Sequence, residues 1–72
     1  MNLSKNDVNR MFICKNGKQG KLMISPNNPS QLVGVIFLEP CGVYWWSRNI
    51  EYNSHGKAIN ESCGFDIKNW LN

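Results

Sequence analysis

Turn signals interrupt this chain too often for a long helix to form. Asn16-Gly17, Pro26-Asn27-Asn28-Pro29 and Glu39-Pro40-Cys41-Gly42 cut the first two thirds of the sequence into short pieces. Asn-Gly is the strongest short hairpin signal. A proline cannot donate to a strand ladder, so the Pro26–Pro29 stretch reads as a loop. The pieces between these signals are rich in β-branched, aromatic and long apolar residues. Residues 11–15, 21–25, 32–38 and 43–47 are therefore expected to be strands. The run at 32–38 is apolar at both parities and reads as a central strand covered on both faces. Residues 48–56 are polar and turn-rich, and 57–59 read as a brief fifth strand.

The two ends carry helical signals. Ser4 and Asp7 stand in capping-box spacing and predict a short N-terminal turn. Ile67, Trp70 and Leu71 are spaced i, i+3, i+4, which predicts a C-terminal helical turn capped by Asp66. Short strands, tight turns and little helix suggest a small, strongly bent antiparallel sheet. The expected fold is an SH3-like β-barrel of four to five strands, one domain over residues 1–72.

A chain of 72 residues buries only roughly 60% of the surface it exposes when unfolded. Its core must be dense in large side chains, and three Trp, three Phe and two Tyr are there to supply it. The net charge is +3. That excess permits nucleic-acid binding, but such domains often carry a stronger one gathered on one face. The polar start predicts no leader, and the longest apolar run is too short to span a bilayer. A cytoplasmic protein is expected. Cys14, Cys41 and Cys63 are odd in number and widely spaced, which argues against a disulfide framework. With His55 they do not have the spacing of a zinc knuckle. No metal and no cofactor is expected, and His55, in Asn53-Ser54-His55-Gly56-Lys57, is expected in an exposed loop.

One set of residues resembles a known group. Asn16, Gly17, Gly20, Tyr52, Gly56, Lys57, Phe65, Asp66, Ile67 and Trp70 match a pattern seen in small phage and prophage proteins. There a strand leads into Asp/Asn-Gly and a second Gly, followed by Tyr-x-x-x-Gly-Arg and a terminal Tyr-Asp-Ile-x-x-Trp. Here Phe65 stands for Tyr and Lys57 for Arg. The resemblance covers nearly the whole chain, and its C-terminal part is the specific part. It implies an SH3-like fold and a mobile-element origin, and it assigns no catalytic residue. Eleven asparagines and no threonine fit AT-rich coding DNA of that origin. The Gly17/Gly20 turn also looks faintly like elements of RNA-binding barrels, although hairpin formation alone explains it.

Catalytic patterns are missing. The chain has no Gly-rich phosphate loop leading into Lys-Ser/Thr, no His-Glu-x-x-His and no paired carboxylates. A nucleophile set drawn from His55, Cys63 and Asp66 would need a pocket that a barrel this small fills with its own side chains. A non-enzymatic protein is expected.

Trp45-Trp46 is the remaining feature. Neighbours on a strand point to opposite faces. Val43, Trp45 and Ser47 share one face, and Tyr44, Trp46 and Arg48 share the other. An unpaired Arg is costly in a core, so Trp45 is expected inside. Tyr44, Trp46 and Arg48 are then expected as an outward binding stripe, since Tyr, Trp and Arg are enriched at interface hot spots. The competing arrangement lays Trp46 over Trp70 and Leu71 in a second small core. The stripe predicts docking on a host or phage protein. The alternative partner is nucleic acid, with Tyr44 and Trp46 stacking on bases while Lys18, Lys21 and Arg48 meet phosphates. Self-association through the same patch is a third outcome.

Overall fold

Asn16 and Gly17 make the hairpin that their chemistry demands. The Asn16 side chain accepts the Lys18 N–H (3.0 Å), Gly17 adopts φ +88°, and the Cys14 N–H donates to the Lys18 carbonyl (2.7 Å). This turn joins β1 (Met11–Cys14) to β2 (Gln19–Ile24) in a computed structural model that describes residues 1–71. The loop at Pro26–Pro29 leads into β3 (Leu32–Cys41), which returns as β4 (Tyr44–Tyr52). A last strand, β5 (Ile67–Trp70), lies beside β1. All neighbours are antiparallel, in the order β4-β3-β2-β1-β5. Single 3-10 turns occupy Lys5–Asp7 and Cys63–Phe65. The Ser4 capping box is present, with Asn6 N–H on the Ser4 hydroxyl and Ser4 N–H on the Asp7 carboxylate.

The mostly β expectation holds, with three corrections. The sheet is not closed into a barrel: β4 and β5 are its two edges and do not pair with each other. What joins them is the loop between Asn53 and Asp66. Tyr52 and Ala58 form a lone bridge, the Ile67 N–H donates to the Gly56 carbonyl, and the Asp66 carboxylate accepts the Ala58 N–H (2.8 Å). The expected strand at 57–59 reduces to that bridge. The second correction is at the C-terminus, where the expected helical turn is instead β5. A register shift opposite Ile13 and Cys14 inserts Lys68 as an extra residue. Ile67 is thereby buried and Trp70 packed on the same core, although three positions separate them. A bulged strand has reproduced helical spacing. Third, residues 48–52 continue β4 rather than forming a loop, because Ile50 and Tyr52 alternate into the core.

The core lies on one face of the sheet. Phe12, Cys14, Leu22, Ile36, Ile50 and Tyr52 are fully buried, joined by Leu3 and Ile67. Phe12 sits at the centre, edge-on to Tyr52 (5.7 Å) and to Trp70 (6.4 Å). It fits because Gly34 leaves space across the sheet. A Cβ at Gly34 would stand 2.5 Å from Tyr52 Cε2 and 2.8 Å from Phe12 Cζ. Arg10 covers the outside of Trp70, its guanidinium 4.0 Å from the ring centre and paired to Asp7 at 3.0 Å.

Candidate functional site

β3 and β4 are longer than the sheet that supports them. The last β2 residue in register with β3 is Gln19, opposite Phe37. Beyond it, Glu39, Pro40 and Cys41 pair only with Trp46, Trp45 and Tyr44. The two strands thus run on as an arm, and a register shift at Leu38 marks where it leaves the body. Pro40 is tolerated here, since β2 no longer offers a carbonyl on that side for it to miss.

The arm explains the tryptophans. Val43, Tyr44, Trp45 and Trp46 are 90%, 76%, 56% and 59% exposed. Trp45 is therefore not in the core, which corrects the expectation from strand parity. The alternation itself is kept, but Arg48 does not mark the face turned from the core. Arg48 shares the parity of Ile50 and Tyr52, the two buried residues of β4. It can stand on the core side because it is paired: its guanidinium bridges to Glu61 and lies 5.7 Å from the centre of the Phe65 ring. Trp46 and Tyr44 follow that parity but lie past the end of the core. Trp45 lies on the other face, against Phe37 (6.2 Å, 60° between rings).

The sequence-predicted site is thus partly assembled. Tyr44 and Trp46 are exposed side by side on one face of the arm. Arg48 shares the face, half-exposed, with its charge already answered by Glu61. Trp46 does not lie over Trp70: the two are carried by strands at opposite edges of the sheet, and Trp70 packs on Phe12. The basic set is not gathered. Lys21 pairs with Val35 and Arg48 with Ile36, consecutive residues of β3, so the two cations lie on opposite faces. Lys18 is exposed in the β1–β2 turn.

Sequence reasoning missed a cleft on the Trp45 side. Gly17, Lys18, Gln19, Phe37, Leu38 and Trp45 line a space of about 500 Å³, within the range of small-ligand sites. It exists because the arm outruns β2, so the Asn16-Gly17 hairpin ends beside it. The signal that could have found it was the unequal length of the strands.

His55 is exposed in its loop, its N–H on the Asn53 side chain. Cys14 is buried, while Cys41 and Cys63 are exposed, and all three are free thiols. Among the described residues no three His, Cys, Asp or Glu side chains cluster as metal ligands, and no helix is long and apolar enough to cross a membrane. The residues carrying the phage-protein resemblance have structural work. Tyr52 bonds to Phe65, Gly56 to Ile67, Asp66 to Ala58, and Trp70 packs on Phe12. They close the loop between Asn53 and Asp66 onto the sheet. No family model matches the chain, and no curated protein or solved structure matches it either.

Proposed function

We propose that this chain is a non-enzymatic accessory protein of phage or prophage type that binds a host protein and modulates it. In this reading it acts in the host cytoplasm, and its bent sheet is an opened variant of the SH3-like plan. One observation carries the reading: four consecutive large residues, Val43 to Trp46, stand in solvent on an arm that the core does not need. Exposed aromatics of this kind mark interaction surfaces. Tyr44 and Trp46 offer one contact face. Trp45, with Phe37 and Lys18, offers a cleft for an apolar side chain of the partner. Arg48 holds the base of the arm to Glu61 and contributes at the rim.

A nucleic-acid ligand is the second reading, favoured by Lys18 standing in the same cleft as Trp45 and Phe37. The separation of Lys21 from Arg48 weighs against it. The test is capture from host lysate with and without nuclease, using the wild-type chain, Trp46→Ala and a remote control, Lys68→Ala. A protein recovered despite nuclease, lost with Trp46→Ala and kept with Lys68→Ala supports the first reading. Recovery that nuclease abolishes selects the second. A protein ligand held by Trp46 should resist moderate salt, whereas a nucleic acid should be released as counterions compete.

A further inference from the structure

We propose that two copies of this chain pair through the open edge of β4, forming an antiparallel dimer with its two-fold axis at Ser47. The inference does not depend on what else docks on the aromatic arm. β4 is an edge strand. The Glu51 carbonyl points away from β3, since it accepts the Ile59 N–H at 2.9 Å. Backbone direction alternates along a strand, so Asn49, Ser47 and Trp45 also aim their N–H and C=O groups outward. Trp45, Ser47 and Asn49 are exposed. Among the contacts of the described residues, the loop held by Glu51 through Ile59 returns to this part of the strand only at Arg48, through the Glu61 side chain and the Phe65 ring. Edges of this kind are usually blunted by Lys, Pro or a bulge. Here the bulge is on β3, and the one charge between Trp45 and Asn49 is Arg48, already bridged to Glu61.

Water satisfies such groups in a single copy; an extended strand can take its place, and this strand complements itself. An axis at Ser47 sets Ser47 opposite Ser47 of the second copy, Trp45 opposite Asn49, and Trp46 opposite Arg48. All three outward residues then exchange bonds, an Arg faces a Trp ring, and no like charges meet. Shifting the axis to Arg48 would oppose two arginines and run Trp45 into the Glu51 position that Ile59 occupies. Shifting it to Trp46 leaves Asn49 opposite Val43, which is in the turn. The Ser47 axis is therefore the one of the three that pairs all the outward residues.

The test is sedimentation of the whole chain over a concentration series, with Ser47→Lys, and oxidative cross-linking of Ser47→Cys and Lys68→Cys, each in a Cys41→Ser/Cys63→Ser background. The wild type should move to the mass of two chains as concentration rises, and Ser47→Lys should remain at one with unchanged far-UV circular dichroism. Facing residues of a bonded antiparallel pair lie within disulfide reach. Ser47→Cys should therefore cross-link readily and Lys68→Cys, on the other edge, should not. A wild type that stays monomeric at every concentration, a dimer that survives Ser47→Lys, or equal cross-linking at both positions overturns the proposal. If Ser47→Lys fails to fold, the cross-linking pair decides alone.

Discussion

The Tyr52 hydroxyl donates a 2.7 Å hydrogen bond to the Phe65 carbonyl, tying the end of β4 to the turn that starts β5. The same hydroxyl lies 3.8 Å from the Cys14 thiol. Tyr52→Phe keeps the ring against Phe12 but leaves the Phe65 carbonyl without this donor. It should cost about 1–2 kcal/mol, the range for a lost buried bond. A urea melt checks the value, and an unchanged midpoint would remove Tyr52 as the tie.

Alkaline pH should unfold the protein through the same pair. Burial, the neighbouring Cys14 and Asp66 push the Tyr52 phenol far above its ordinary value of 10.0. Burial first, with Asp66 adding to it, pushes the Cys14 thiol above its ordinary 9.0. The unfolded chain then releases protons that the folded chain keeps. The stabilisation is complete below pH 9 and falls as pH rises through 9 and then 10. Melting temperature measured against pH should decline in that window, and less steeply in Tyr52→Phe. A flat profile to pH 11 would contradict the assignment.

The three tryptophans should separate by alanine substitution. Trp70 packs on Phe12 beneath Arg10, and Trp70→Ala should cost about 3 kcal/mol, at the low end for large core deletions. Trp45→Ala and Trp46→Ala should each cost about 1 kcal/mol or less, as exposed positions do. Denaturant melts of the three variants decide. A Trp45→Ala variant as unstable as Trp70→Ala would put Trp45 back in the core.

Gly34→Ala tests the packing across the sheet. The added methyl meets both Tyr52 and Phe12 well inside contact distance. Overpacking of this kind costs roughly 1–3 kcal/mol. A variant as stable as the wild type would show that the two rings yield without strain.

Thiol accessibility should follow burial. Cys41 and Cys63 are exposed and Cys14 is not. A thiol-specific reagent at neutral pH should label the first two in the native protein and Cys14 only on unfolding. Mass spectrometry of the labelled peptides reads the outcome, and rapid native labelling of Cys14 would contradict it.

The sequence by itself determined the turns and the β character. Asn16-Gly17 and Pro26–Pro29 act through backbone torsions and missing donors, which are properties of a few adjacent residues. The Ser4–Asp7 cap is local in the same sense. Arg48 misled because its cost on the core side depends on Glu61, thirteen residues away along a loop. The spacing of Ile67 and Trp70 is that of a helical turn because the bulge at Lys68 in β5 inserts one residue between them. Whether the tryptophan pair is buried was decided by the tertiary structure alone. Alternation along β4 assigns Trp45 and Trp46 to opposite faces, but burial requires a neighbour above each face. β2 ends beside Phe37, and past that point the sheet has no third strand and no core for either ring to enter.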